Sequence, residues 1–274
     1  MIFSDKHLAQ RLEQAEAQAN ANFIEARCRL MPESEATWTK LAGAYLLFDG
    51  VGSPLTQSFG LGLFDEVGPA ELEQVEQFFA QRHTPVCLEI SSLADASFLA
   101  LLPTRGYRPI EYTSVLYREL SPLPHPTTVQ SGPLTTRRIT AAEVPVWAHT
   151  SAEGWRPESP DLGDFVLAYG QISASSDGAE PFLAELNGHP IATGGLFVHQ
   201  DVALLMGAST IATGRRQGAQ SALLEARLCF AAAKGCTLAM MGALPGSQSQ
   251  RNAEKNGFRI AYTRLKWQLE LPLK

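Results

Sequence analysis

The residues of this sequence best suited to chemistry are Thr213-Gly214-Arg215-Arg216-Gln217-Gly218-Ala219-Gln220-Ser221. They follow a run that reads as a strand, Val202 to Ile211. They precede one that reads as a helix, Ser221 to Ala233, in which Leu223, Leu224, Ala226, Leu228 and Phe230 mark a buried side. A small-residue, basic loop entering a helix presents consecutive free N–H groups where the helix dipole favours an anion. Arg215 and Arg216 add charge-assisted hydrogen bonds of about 1.5–3 kcal/mol each when shielded from water. Gly218 has no side chain to block a phosphate, so the loop suits a pyrophosphate. It is neither a Walker loop, lacking G-K-[ST], nor a G-x-G-x-x-G turn.

Other reactive side chains are less organised. Cys229 and Cys236 lack histidines at metal-ligand spacing, so no metal is expected, and no G-x-S-x-G elbow is present. His189 falls in a hairpin turn and His199 at a strand end, both surface positions. Glu225, on the helix after the loop, reads as a solvated partner of nearby arginines.

The elements that hold the loop are legible around it. Thr135 to Ile139 reads as a strand, and Ala141 to His149 and Gly163 to Ala174 as helices. Phe182 to Leu186 and Ile191 to Val198 form a hairpin across Asn187-Gly188-His189-Pro190. A strand over Cys236 to Met241, a helix over Ser247 to Asn256 and a strand-like run over Tyr262 to Leu271 close the chain. The order predicts a mixed sheet with helices on both faces.

The first half ends in the same way. Val86 to Ile90 is a strand, Ala94 to Arg105 a helix, and Tyr112 to Leu120 a strand. Gly106-Tyr107 stands where Gly257-Phe258 stands in the second half: a glycine past a helix end, then an aromatic residue. Between the halves lie Ser121-Pro122-Leu123-Pro124-His125-Pro126 and Gly132-Pro133, which can continue neither helix nor central strand. This divides the chain into domains over 1–120 and 135–274 with a Pro-rich linker over 121–134.

With 274 residues and 45% hydrophobic content, the chain can bury a sizeable core. The 22 Lys+Arg against 28 Asp+Glu give a net charge of -6, against the basic excess of a nucleic-acid binder. No apolar run is long enough to predict a membrane span, and the first ten residues carry Asp5, Lys6 and His7 where a signal peptide is apolar. Cys28, Cys87, Cys229 and Cys236 form no C-x-x-C pair and read as reduced thiols of a cytoplasmic protein.

Arg215-Arg216-Gln217-Gly218-Ala219-Gln220 resembles the Q/R-x-x-G-x-G/A signature of the GNAT superfamily of acyl-CoA N-acyltransferases. Ser249-Gln250-Arg251-Asn252-Ala253-Glu254-Lys255-Asn256-Gly257-Phe258 is similar to that superfamily's closing helix and Gly-Phe turn. The resemblance spans residues 130–274, and 20–120 as a degenerate copy. It implies an α/β (α+β) fold of two tandem GNAT-like domains, each a mixed, mostly antiparallel sheet flanked by helices. It also implies acetyl-CoA as co-substrate. The pyrophosphate would lie on the backbone amides of Arg216 to Ser221, and the pantetheine arm along Thr210, Ile211 and Ala212. Ser249 and Asn252 would be further contacts. Gln220 departs from the pattern, standing where Gly or Ala is usual.

The activity so implied is direct transfer of an acetyl group to a primary amine by the C-terminal domain. Relatives place a Tyr four residues before the Gly of Gly-Phe, to protonate the departing thiolate; here Ala253 stands there. Tyr262 or water is the alternative donor, and Glu185 on the second predicted strand is the candidate base. Trp155-Arg156 lies where relatives form the acceptor-binding wall, suited to a carboxylate-bearing amine. The acceptor is a small molecule or a peptide, and the chain a monomer or homodimer. A non-catalytic CoA-binding sensor is the first rival reading, and a purely structural tandem scaffold that binds no CoA is the second.

In the first half the corresponding loop and helix run Asp65-Glu66-Val67-Gly68-Pro69-Ala70-Glu71-Leu72-Glu73-Gln74-Val75-Glu76. Five carboxylates and no base occupy the place of the phosphates, which opposes an anion. This half is expected to keep the fold without the cofactor. Its helix over 69–81 should match 221–233, over a core of Leu61, Leu63, Val86, Leu88 and Ile90.

Overall fold

The computed structural model describes residues 2–120, 132–157 and 160–270. In chain order these form α1 (Lys6–Leu30), β1 (Thr37–Leu41), β2 (Ala44–Phe48), β3 (Gln57–Phe59), α2 (Pro69–Ala80), β4 (Val86–Ser91), α3 (Ala96–Thr104) and β5 (Arg108–Glu119). There follow β6 (Leu134–Arg138), α4 (Val144–Trp155), α5 (Pro160–Ala174), β7 (Ala179–Leu186), β8 (His189–His199), β9 (Val202–Thr210) and α6 (Ala219–Ala233). The chain closes with β10 (Leu238–Ala243), α7 (Gln248–Lys255) and β11 (Arg259–Leu269). Most of the Pro-rich linker, residues 121–131, lies outside the described residues. Among the described residues no helix is long and apolar enough to cross a membrane.

Two compact units result, Met1–Arg118 with Met240–Lys274, and Glu119–Ala239. The last thirty-five residues therefore pack with the first half, although the order of motifs along the chain assigns them to the second. The reason is β11, which pairs antiparallel with β4 on one side (Leu265 opposite Ile90) and with β5 on the other (Thr263 opposite Ser114).

In the first unit β1, β2 and β3 form an antiparallel meander, and β3 continues into β4 as a parallel neighbour. Leu61, Val86, Leu88 and Ile90 join Leu72, Val75 and Phe79 of α2 and Phe98 of α3 in one core on one face of this sheet. Leu63 is also fully buried. α1 is started by Asp5, whose carboxylate accepts the Leu8 amide at 2.8 Å. The helix buries Leu8, Leu12, Phe23, Ile24 and a run of alanines.

Beneath α1 lies an ion cluster. Arg264 of β11 is bidentate to Glu16 at 2.8 and 3.0 Å and reaches Glu13 at 3.3 Å. Its Nε stands 3.0 Å from Glu89 Oε2 without hydrogen-bond alignment. Tyr262 donates its hydroxyl to Glu13 at 2.7 Å. Burial pushes the Glu13 carboxyl up to about 7, although Arg264 pulls it down. These contacts tie α1 to a strand 249 residues away in sequence.

The two glycine turns expected to match do so in detail. Gly106 and Gly257 have φ of 88° and 80°, open only cheaply to glycine. Tyr107 returns its amide to Leu102 and Phe258 to Ala253, each at 3.1 Å, and both rings are buried.

The second unit is an antiparallel sheet of β6, β7, β8 and β9 in spatial order, with α4, α5 and α6. The hairpin turn is tighter than the sequence suggests. Asn187 and Gly188, both at positive φ, make a two-residue turn, and His189-Pro190 already belong to β8.

Candidate functional site

β9 ends at Thr210, a single 3-10 turn covers Ala212–Gly214, and α6 starts at Ala219. Gly214 is buried because the turn presses on β8: a methyl group there would lie 2.7 Å from Ile191 Cβ. The chain then makes two left-handed steps, Arg216 at φ 63° and Gly218 at φ 80°. Such steps turn successive amides toward one side, a concavity suited to an anion. No side chain caps α6, and the space around Gly218 is open to at least 4 Å. The first-turn amides of α6 are thus left without intrahelical partners at an unobstructed helix end.

The two arginines differ in their commitments. Arg215 reaches back to the Gly154 carbonyl at 3.4 Å, where α4 ends. Arg216 is exposed and has no partner among the described residues.

Gln220 resolves its departure from the usual small residue. Its Nε2 folds back onto the sheet, donating to Ser209 O at 2.8 Å and Thr210 Oγ1 at 2.9 Å, with Thr193 O at 3.3 Å. The side chain is therefore turned to β8 and β9 rather than to the loop's open side.

β9 itself is bulged. Thr193 lies opposite Ser209 but Gly195 lies opposite Met206, so β9 carries one residue more than β8 over this step. Gly207 takes up the irregularity at φ 62°, and its carbonyl accepts from Thr193 Oγ1 at 3.1 Å. Trp147 of α4 packs against Gly207, held by a 3.0 Å bond from its Nε1 to Phe182 O. Beyond the bulge, the Ile211 amide is already bonded to Ile191 O at 3.0 Å. Ladder alternation turns the Thr210 amide and carbonyl to the opposite edge.

Arg227, on α6, is a feature that the sequence conceals, since an arginine in a helix reads as solvated. It is buried, donating from Nη1 to Gly195 O at 3.0 Å and Met206 O at 3.3 Å and from Nε to Leu223 O at 3.1 Å. The sequence signals that could have revealed it are Gly194-Gly195 and Gly207, glycines within strands, which mark a close approach or a bulge.

The remaining expected residues are placed as follows. Glu185 accepts both Nε and Nη2 of Arg137, at 3.2 and 2.8 Å. Arg137 also pairs with Glu143 at 2.7 Å, and Glu143, bonded to Arg137 and Thr140, is lowered to about 2. Both oxygens of Glu185 are thus engaged by the Arg137 guanidinium. Tyr262, named as an alternative acid, is buried with its hydroxyl on Glu13, and burial raises its pKa well above the usual phenol value. Trp155 closes α4, half-buried, while Arg156 lies over Gly163 with its guanidinium 3.6 Å from Asp164. Ser249 and Asn252 stand on α7, within the first unit, where Asn252 accepts from Gln248 at 2.7 Å. Ala253 is buried. Among the described residues, no group of three or more His, Cys, Asp or Glu could hold a metal.

The first unit supplies a contrast. α2 follows the third strand of its meander as α6 follows β9, but its entry carries a proline and a carboxylate. Pro69 has no amide to offer, and Glu71 accepts the Gly68 amide at 3.0 Å.

No family model and no curated protein sequence matches the chain. Solved structures do. A GCN5-related N-acetyltransferase from Kribbella flavida is 18% identical, with a TM-score of 0.65 over 96% of each chain. A tandem GNAT protein from the clavulanic acid biosynthesis pathway is 14% identical, with a TM-score of 0.60 over 100% of this chain and 98% of its own. A GCN5-related N-acetyltransferase from Sphaerobacter thermophilus is 17% identical, with a TM-score of 0.56 over 83% and 80%. What these share with the chain is a fold: it is that of a tandem GNAT protein.

Proposed function

We propose that the chain is an acyl-CoA-dependent N-acetyltransferase that carries acetyl-CoA on its second half and transfers the acetyl group to a primary amine. The observation that carries this reading is the uncapped, unobstructed N-terminus of α6, with Arg216 left exposed beside it. The amides from Arg216 to Ser221 would take the pyrophosphate, and Thr210, whose amide and carbonyl face away from β8, would pair with the amide-bearing pantetheine arm. Arg215 serves by fixing the loop to α4.

In the transfer the amine nitrogen bonds to the acetyl carbonyl carbon. The C–S bond then breaks with its electron pair on the CoA sulfur, and the amine proton passes to that sulfur or to solvent. Delivering a lysine-like amine deprotonated at pH 7 costs about 4–5 kcal/mol. With Glu185 held by Arg137, that proton is better lost to water, or from an amine whose own pKa is low. Trp155 and Arg156 stand as the proposed acceptor wall, for a small molecule or a peptide.

A CoA-binding sensor without turnover is the second reading, favoured by Ala253 in place of a tyrosine and by the engagement of Tyr262 with Glu13. Release of free thiol from acetyl-CoA across a panel of amines separates the two. Turnover dependent on an amine supports the transferase; tight binding with no thiol release supports the sensor.

A further inference from the structure

Arg227 is 4% exposed, and among the described residues no carboxylate pairs with it; its three acceptors are backbone carbonyls. Burial alone acts on its guanidinium, drawing it down to about 10, so it stays charged at neutral pH. A buried, uncompensated cation costs several kcal/mol in desolvation, and a hydrophobic residue of like size is often more stabilising at such a site. The fold nevertheless makes room for it: a methyl group on Gly194 would lie 2.8 Å from Arg227 Cζ.

Its position explains the investment. Arg227 holds Met206 O and Gly195 O, the pair at one end of the β9 bulge. Gln220, two turns earlier on α6, holds Ser209 O and Thr193 O, the pair at the other end. The helix that offers its N-terminus to an anion thus also fixes the bulged stretch of β9 between the two grips.

We propose that Gln220 and Arg227 are positioning residues for acyl transfer, clamping the β9 bulge from α6, with Arg227 placing a buried positive charge behind it. This rests on the acetyl-CoA reading above. As the C–N bond forms and before the C–S bond breaks, the carbonyl oxygen gains negative charge. A fixed cation in a water-excluded site favours that charge without reorganising. The clamp therefore acts on the chemical step and little on cofactor binding.

The test compares Arg227→Met, Arg227→Lys and Gln220→Ala with the wild type. The readouts are acetyl-CoA binding, thiol release with the best amine of a panel, melting temperature, and hydrogen exchange of the 206–209 amides without cofactor. The expected result for Arg227→Met is a Kd within threefold of wild type, a kcat at least tenfold lower and a melting temperature no lower. Arg227→Lys should recover kcat to within threefold, and Gln220→Ala should speed exchange at 206–209 at least tenfold. Should Arg227→Met not fold, the lysine and Gln220 variants decide the matter. A wild-type kcat in Arg227→Met, or a joint fall of kcat, affinity and melting temperature that Lys does not rescue, overturns the proposal. A wild type that binds acetyl-CoA but releases no thiol also overturns it and leaves the cofactor reading standing. A wild type that does not bind acetyl-CoA defeats that reading instead, and the exchange measurement still reports on the clamp.

Discussion

Glu71 accepts the backbone amide of Gly68 at 3.0 Å, so the first half folds a carboxylate onto the entry of α2, where the second half has the open turn at Gly218. A tandem fold has thus kept two copies of one structural idea with opposite electrostatics. The acidic copy sets a carboxylate at its helix entry; the basic copy sets Arg215 and Arg216 before its helix.

Charge at the open end gives the first prediction. Arg216→Glu would replace the charge-assisted bond proposed to the pyrophosphate with repulsion, so acetyl-CoA affinity should fall at least tenfold, about 1.4 kcal/mol or more. Arg215→Glu should instead lower stability through its lost contact with Gly154. Equal losses of affinity in both variants, by titration calorimetry, would mean that the loop does not divide its work in this way.

Backbone conformation gives the second. Gly218 has φ 80° and nothing within 4 Å, so an alanine fits sterically but pays about 1–2 kcal/mol for the left-handed region. Gly218→Ala should lose that much in urea unfolding. An unchanged midpoint would indicate that the turn relaxes freely.

Glu185 supplies a prediction against the sequence-based expectation of a base. Because both its oxygens face Arg137, Glu185→Gln should leave kcat/KM within about threefold and the pH profile in place. A hundredfold fall, with loss of the acidic limb of the profile, would restore Glu185 as the base.

How far the sequence could be read follows from these same residues. The basic loop and its helix stood out because Gly218 and two arginines interrupt an otherwise apolar pattern. The paired turns at Gly106 and Gly257 were visible because only glycine takes that conformation cheaply. α1 was not legible: its buried face is largely alanine, which gives little hydrophobic contrast along 25 residues. Nor was the seat of β11, because pairing between Leu265 and Ile90 depends on contacts far apart in sequence, which no local pattern encodes. Arg227 and Glu13 were hidden for a simpler reason, that charged residues in helices are usually solvated.

Glu13 carries the pH prediction. Its folded value of about 7 lies above the ordinary 4.5, so the folded state holds a proton that the unfolded chain has released. Stability is then greatest below pH 4.5 for this group and declines as pH rises toward 7, by on the order of 1–3 kcal/mol. Glu13→Gln retains an acceptor for Tyr262 and removes the titration. Urea unfolding at pH 5 and 7.5 should show the decline in the wild type and not in the variant; equal declines would assign it to other groups.

The central claim, one acetyl-CoA site carried by the second half, is tested most directly by titration calorimetry of the wild-type chain with acetyl-CoA. One equivalent should bind per chain, with affinity that falls in Arg216→Glu and is unchanged in Glu71→Ala. Two equivalent sites, or no binding at all, would contradict it.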